Sequence, residues 1–305
     1  MSKILITGAA GFLGRNLTDY LQNTCELILT DQHPDKWTHQ QLEPRNTATM
    51  TYADIDTDHA VLGNLLEGVD VVIHCANKAR IDPSWLTYSE YYLTNITSTH
   101  RFFELCQAKK VKKFIYISSS SVYGNNGQTI QTEDGPLVPS SPYAVSKLGA
   151  EWALRVQSQK AWITELIIVR PFTMYGKYMD YSAKALMIPK FFKCHVEGDP
   201  LLLHGNGEQT RDFLCASDAV VGIGLLIEHG ERDRVYNLGS GTSTGIKQIA
   251  DAISLNQIKV SDRIGQVQST LADISKLRAL GFDPKTDVVE WATAQIANFN
   301  QSKGK

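Results

Sequence analysis

The chain has 305 residues, 43% of them hydrophobic, enough for one large domain or two small ones around a sizeable core. Its formal net charge is -2 and it contains no long basic block, which argues against nucleic acid or an acidic membrane surface as a partner. The 5 cysteines (Cys25, Cys75, Cys106, Cys194 and Cys215) are scattered with no C-x-x-C pair, so neither a metal site nor a disulfide framework is expected. No apolar run is long enough to span a membrane. Met1-Ser2-Lys3 leads straight into Ile4-Leu5-Ile6, too short a run for a signal-peptide core. A cytoplasmic location is expected.

Residues 3–7 predict a short buried strand. Phe12, Leu13, Leu17, Tyr20 and Leu21 recur at helical spacing over residues 12–22. Residues 26–30 predict a second strand that ends at Asp31. Residues 32–48 are polar and carry Pro34 and Pro44, which predicts a loop, and a third strand is expected at 50–53. A helix at 59–66, a strand at 69–74, a long helix at 89–109 and a strand at 113–118 follow. The Ser-, Gly-, Asn- and Pro-rich stretch 119–142 predicts a loop, then a helix at 143–159 and a strand at 163–170. Strands alternating with helices imply a parallel sheet with crossover helices. Beyond Pro171 the alternation fades into helices near 181–195 and 217–229, a turn at 205–209 and a strand at 235–238. Helices near 245–254, 273–280 and 287–300 complete the chain.

Gly8, Gly11 and Gly14 form a G-x-x-G-x-x-G turn between the first strand and the first helix. Glycines let the backbone approach a pyrophosphate, and the helix N-terminus offers free N–H groups to its charge. A plain helix-entry turn would look the same in isolation. Asp31 sharpens the reading, because it ends the second strand 17 residues after Gly14. An acid there can accept from both ribose hydroxyls and would repel a 2′-phosphate, which favours NAD over NADP.

Tyr143 and Lys147 lie four residues apart near the start of a predicted helix, on one face. A phenol titrates near pH ~10. A neighbouring ammonium favours the phenolate and brings it into use as a base. The strand ending near Ile117 runs into Ser118-Ser119-Ser120-Ser121. Serines at a carboxyl end in a parallel sheet stand where ligands bind.

The ordered set of glycine loop, Asp31, serines before Val122-Tyr123-Gly124, Tyr143/Lys147 and Arg170-Pro171 before Tyr175-Gly176 resembles a known family. It is similar to the extended short-chain dehydrogenases/reductases, specifically the NAD-dependent nucleotide-sugar epimerase/dehydratase group. The resemblance runs from residue 4 to about 276. It implies an α/β fold: a Rossmann-like doubly wound parallel sheet with a smaller C-terminal substrate-binding lobe. The NAD-binding part would take residues 1–171 and about 210–238, and the nucleotide-sugar lobe about 172–209 and 239–305. The resemblance implies Ser119, Tyr143 and Lys147 as catalytic residues. It implies an NAD site of Gly8, Gly11, Phe12, Leu13, Gly14, Asp31, Asp54, Ile55, Ala76, Lys78, Asn95, Ser118, Tyr143, Lys147 and Pro171. Ser119, Ser120, Thr173, Arg211 and Arg263 would hold the substrate, with both arginines on its diphosphate. Around Arg263 the usual proline and aspartate are missing. A homodimer through the helices near 89–109 and 143–159 is also implied.

Dehydratases of this group carry Asp-Glu just after the catalytic Ser/Thr, and decarboxylases a Glu. This chain has Ser120 and Ser121 there. A serine cannot supply the extra proton transfers, so 4-epimerisation of a UDP-sugar is the simplest expectation. Arg170-Pro171-Phe172-Thr173-Met174-Tyr175-Gly176 is similar to UDP-glucuronate 4-epimerases, although their arginine-rich stretch after Tyr-Gly-Pro is not intact. UDP-glucose and UDP-N-acetylhexosamines compete with glucuronate. Net dehydrogenation of an alcohol, dehydration or decarboxylation, and a non-catalytic nucleotide-binding role are the alternatives.

Overall fold

A computed structural model describes residues 1–33, 48–160, 164–182, 186–261 and 268–303. The predicted loop at 32–48 therefore lies largely outside the described residues, as does Arg263.

The strands are β1 (Lys3–Thr7), β2 (Glu26–Asp31), β3 (Ala48–Tyr52), β4 (Val71–His74), β5 (Lys113–Ile117), β6 (Glu165–Pro171), β7 (Thr173–Tyr175), β8 (Leu201–His204), β9 (Thr210–Cys215), β10 (Arg234–Leu238), β11 (Ser243–Gly245) and β12 (Gln257–Val260). The helices are α1 (Phe12–Leu21), α2 (His59–Leu65), α3 (Ile81–Ser84), α4 (Tyr88–Tyr92), α5 (Thr99–Ala108), α6 (Pro142–Lys160), α7 (Met187–Glu197), α8 (Ala216–His229), α9 (Ile246–Ile253), α10 (Ser275–Arg278) and α11 (Val288–Lys303).

Seven strands form one sheet in the order β10-β6-β5-β4-β1-β2-β3, every pair parallel. Ile4, Leu5 and Ile6 of β1 have no exposed surface. Their unbroken apolar run is what a strand covered on both faces requires. One face packs Leu13, Leu17 and Leu21 of α1 with Ile223 and Leu226 of α8. The other packs Leu62 of α2, Phe102 and Phe103 of α5, and Ala150 and Leu154 of α6. The result is the Rossmann-like α/β arrangement. The chain leaves β1 toward β2 and β3, then returns to β4 on the other side of β1. That reversal opens a crevice at the carboxyl ends of β1 and β4.

Periodicity predicts none of β7, β8, β9, β11 or β12. They are 3 to 6 residues long and pair only with distant segments: β7 and β11 flank β9, and β12 pairs with β8. In β9, Asp212, Phe213, Leu214 and Cys215 are buried in succession, so no alternation marks it. These segments surround a third apolar cluster containing Tyr175, Phe191, Phe192, Leu203, Phe213 and Ile249. The single helix expected at 89–109 is α4 and α5 joined by a π-helical turn, Leu93–Ser98. That turn buries Asn95 completely. The helix expected at 181–195 begins later, at Met187, with Pro189 in its first turn, where no N–H is needed. No helix among the described residues is long and apolar enough to cross a membrane.

Candidate active site

The glycine loop follows β1 directly. Gly8 has φ +65°, and a Cβ on it would stand 2.7 Å from the Ala76 backbone nitrogen. A Cβ on Gly14 would stand 2.4 Å from the Gly8 carbonyl oxygen. Both glycines are required by backbone approach. The Gly11 N–H closes the turn on the Gly8 carbonyl at 3.0 Å. Gly11 then caps α1 in an extended conformation, without a side-chain bond to the helix. The first N–H groups of α1, at Phe12 and Leu13, face the crevice with no partner in their own helix.

Asp31 ends β2 against this loop. Its Oδ2 accepts from the Ala10 N–H at 3.0 Å and its Oδ1 from the His33 N–H at 2.9 Å. Asp54 lies after β3, where its carboxylate accepts from the Asp56 N–H at 2.8 Å, and Ile55 beside it is buried. Beyond β4, the Ala76 N–H donates to Thr7 Oγ1 at 3.1 Å. The Lys78 N–H donates to Asn95 Oδ1 at 2.8 Å, while Asn95 Nδ2 donates to the Lys78 carbonyl and to Ser146 Oγ. Asn95 thus spends its amide on fixing the segment after β4 against α6. Pro171 ends β6 and is buried.

This cradle fits a dinucleotide: a turn that excludes side chains, a helix N-terminus, and an acid at the end of the next strand. Gly8, Gly11, Phe12, Leu13, Gly14 and Asp31 would hold it.

The second wall is built by β5 and α6. The Ser118 N–H donates to the Val169 carbonyl at 2.7 Å, continuing the sheet ladder past β5. Ser119 caps the short 3-10 helix Ser120–Tyr123, its Oγ accepting from the Ser121 N–H at 3.2 Å. On the facing helix, Ser141 Oγ accepts from the Ala144 N–H at 3.1 Å, and Pro142 takes the first helical position. This start places Tyr143 within hydrogen-bond contact of Ser119. One turn on, Lys147 is 1% exposed; its Nζ donates to the Ile117 carbonyl at 2.6 Å and lies 4.5 Å from the centre of the Tyr116 ring.

Burial sets the charges here. It lowers the Lys147 ammonium to about 7, against opposing pulls from the Cys75 thiol and the Glu151 carboxylate. It raises the Tyr143 phenol above its ordinary value, and the hydrogen bond with Ser119 works in the other direction. The Cys75 thiol is pushed up to about 12 and His74 down to about 3, both chiefly by burial, so both are neutral at pH ~7.

Sequence reasoning misses what stands behind these groups. Ser118 Oγ donates to Glu151 Oε1, and Arg170 grips both oxygens of Glu151 at 3.0 and 2.6 Å. Arg170 also donates to the Tyr123 hydroxyl and the Glu133 carbonyl, and the Tyr123 hydroxyl donates to Asn237 Oδ1 at 2.6 Å. Glu151 and Asn237 are fully buried. One signal was present: Glu151 follows Lys147 by four residues, on the same helix face. Tyr91 was also missed; its ring meets that of Tyr143 edge-on at 6.3 Å.

The substrate candidates converge from β7 and β9. Thr173 pairs with Phe213, two residues beyond Arg211 on the same strand face. Arg211 Nη1 donates to the carbonyls of Thr210 and Gln268 at 2.7 and 3.2 Å. Burial lowers its guanidinium below the ordinary value. A partly buried cation in that state favours an anionic ligand. Ser120 is half-buried, and Ser121 Oγ is buried with no hydrogen-bond partner among the described residues. The structure thus gathers Ser119, Tyr143 and Lys147 at one end of the crevice.

An uncharacterized UDP-glucose epimerase of Bacillus subtilis (strain 168), YtcB, is 31% identical over 97% of both chains. A UDP-N-acetylglucosamine 4-epimerase from Methanobrevibacter ruminantium M1, solved with UDP-N-acetylmuramic acid, superposes with a TM-score of 0.90 at 28% identity over 99% of both chains. A UDP-glucuronic acid 4-epimerase from Bacillus cereus, solved with UDP-glucuronic acid and NAD, gives 0.89 at 30% identity over 98% of this chain and 99% of that one. Glucose 4,6-dehydratases are also among the relatives. Residues 4–239 match the NAD dependent epimerase/dehydratase family. With the dinucleotide cradle and the Ser-Tyr-Lys end of the crevice in one fold, the chain belongs to that family of NAD-dependent nucleotide-sugar enzymes.

Proposed function

We propose that the protein is a UDP-sugar 4-epimerase, with UDP-glucuronate the leading substrate and UDP-glucose and UDP-N-acetylhexosamines its competitors. One observation carries the choice of reaction. Ser119 and Tyr143 stand together, and the two positions after Ser119 are hydroxyls, Ser120 and Ser121. Glu151 lies behind Ser118, but both its oxygens are taken by Arg170. Among the described residues no acid follows Ser119 there to serve dehydration or decarboxylation.

In this reading Tyr143 takes the proton of the sugar 4-hydroxyl, and Ser119 hydrogen-bonds the same oxygen and relays the proton. NAD, when bound, would supply the acceptor and the donor for the C4 hydride, with no net redox. Lys147, one turn along from Tyr143 and anchored on the Ile117 carbonyl, favours the ionised phenol while its own ammonium is protonated. Arg211 holds the diphosphate by its free guanidinium edge, and Thr173 lines the sugar pocket beside it. A fixed diphosphate lets the keto-sugar turn about its linkage and present the other face.

The test is a product assay. UDP-glucuronate, UDP-glucose and UDP-N-acetylglucosamine are incubated separately with the protein and resolved by proton NMR. A 4-epimer without net NADH supports the reading. A 4-keto-6-deoxy or pentose product replaces it with dehydration or decarboxylation, and accumulating NADH with net dehydrogenation.

In this proposal the strands β1–β6 and β10 carry NAD and the third apolar cluster carries the sugar nucleotide, with β9 joining the two. We also infer a cytoplasmic homodimer. Val145, Trp152 and Val156 of α6 are 40%, 60% and 70% exposed, and Tyr88 and Leu93 are 57% and 49% exposed. Such an apolar stripe on two neighbouring helices suits a second copy of the chain.

A further inference from the structure

Two loops meet through opposite charges. Arg80 lies between β4 and α3 and Asp180 beyond β7, 100 residues apart, and Arg80 Nη2 donates to Asp180 Oδ2. Arg80 reaches that position from a left-handed backbone, φ +93°. A side chain with a Cβ is strained there. The pair is open to solvent, 28% and 49% by side chain. An ion pair so exposed contributes less stability than such strain costs. Stability alone does not explain an arginine at this position.

Its neighbours point to the reacting end of the site. The Tyr91 hydroxyl donates to the Ala79 carbonyl at 2.9 Å and pins the segment that carries Arg80. The Arg80 charge acts on the same hydroxyl. The Tyr91 ring in turn meets the Tyr143 ring edge-on. One phenol therefore stands between Arg80 and the residue assigned as base. On the other side, the loop carrying Asp180 is tied to α1: Lys177 and Tyr178 both bond Asp19 Oδ2, and Asn16 Nδ2 donates to the Lys177 carbonyl at 2.9 Å. Asp180 is an exposed member of this loop, its Oδ1 accepting from the Ser182 N–H at 2.8 Å while its Oδ2 takes Arg80.

We propose that Arg80 is a specificity-determining residue that takes a carboxylate on the sugar of the bound nucleotide sugar, Asp180 holding the guanidinium until that carboxylate replaces it. A guanidinium presents a planar fork that matches a carboxylate with two parallel bonds. Asp180, half in water already, returns to solvent at little loss. A neutral hexose offers nothing in exchange and leaves the pair closed. The inference rests on the nucleotide-sugar reading above.

The experiment is titration calorimetry of the NAD-loaded protein with UDP-glucuronate and with UDP-glucose, for wild type, Arg80→Gly and Asp180→Asn. Glycine accepts the positive φ without strain, so Arg80→Gly removes the charge and relaxes the backbone. Asp180→Asn removes the competing carboxylate and keeps the arginine. Wild type is expected to prefer UDP-glucuronate. Arg80→Gly should reduce the ratio of the two affinities by about tenfold or more, and Asp180→Asn should keep or raise it. Equal affinities in wild type, or a preference that survives Arg80→Gly, overturn the assignment. Parallel losses for both sugars in both variants overturn it too, in favour of a structural clasp. Proton NMR of the same mixtures follows the 4-epimer separately. Charge-selective binding without a 4-epimer would keep Arg80 and discard the epimerase.

Discussion

Tyr143 and Lys147 show how burial and charge must be balanced at single residues. Burial holds the Tyr143 phenol protonated, so its use as a base depends on positive charge arriving beside it. Tyr143→Phe should lower turnover by about 10²–10⁴-fold. UDP affinity by calorimetry should stay close to wild type, and turnover that survives the change removes Tyr143 as base. Lys147 has a second consequence, for stability. Its ammonium titrates at about 7 when folded against an ordinary 10.5. Between those values the unfolded chain holds a proton that the folded chain has released, so this group's contribution to stability increases with pH across that window. Urea midpoints of wild type relative to Lys147→Met should therefore rise from pH 7 to about 10. A difference that does not change with pH would place the charge of Lys147 elsewhere. Asp31→Ala should weaken NAD by roughly tenfold, measured by fluorescence titration, because the loop loses the acceptor of its Ala10 N–H together with the proposed ribose acceptor.

At the scale of elements, the crevice depends on how closely β1, α1 and β4 approach. Gly14→Ala would drive a methyl to 2.4 Å from the Gly8 carbonyl and 2.6 Å from the Ala9 Cα. Both are backbone atoms, so the loop itself must move. NAD retention on gel filtration should fall, with turnover falling in step. The joint of β5, β6 and α6 depends on Glu151 and Arg170 in the same way. Glu151→Ala leaves the Arg170 guanidinium buried at 1% exposure without its carboxylate. Losing one partner of such a pair costs about 3–5 kcal/mol, read as a shift in urea unfolding. Arg170 Nη1 retains the Tyr123 hydroxyl and the Glu133 carbonyl in that variant, which softens the loss.

For the whole molecule, the proposed site draws its two kinds of binding group from the large sheet and from the segments around the third apolar cluster. NAD-directed groups follow β1, β2 and β4, while Thr173 and Arg211 come from the small sheet of β7, β9 and β11. Asp212 locks that sheet in place, accepting from the N–H groups of Ser240, Gly241 and Ala272 at 2.6, 3.0 and 3.1 Å. The exposed stripe on α6 belongs to this scale as well. Trp152→Asp should convert a dimer to a monomer in sedimentation velocity, because a desolvated charge would face its own copy across a two-fold axis. An assembly state that Trp152→Asp does not alter would place any interface on another face.

Features made by neighbouring residues were legible in the chain itself. The glycine turn, Asp31 at the end of β2, the serines after β5 and the four-residue step from Tyr143 to Lys147 each follow from local spacing. So did the alternation of apolar strands and helices through β6, since a strand buried on both faces reads as an unbroken apolar run. Tertiary structure decided whatever joins residues far apart in sequence. Glu151 reads as an ordinary helix glutamate until Arg170 and Ser118 close on it, and Arg80 as a loop arginine until Asp180 arrives from 100 residues away. The π-helical turn that buries Asn95 breaks no periodicity visible along the chain. The short strands β7, β9 and β11 gain their hydrogen bonds from one another and from the distant 268–270 segment, so no single one of them carries a signal. Local spacing specifies chemistry that a few consecutive residues can assemble. Partners, strain and burial are properties of the packed molecule, because they depend on which distant atoms the fold brings into contact.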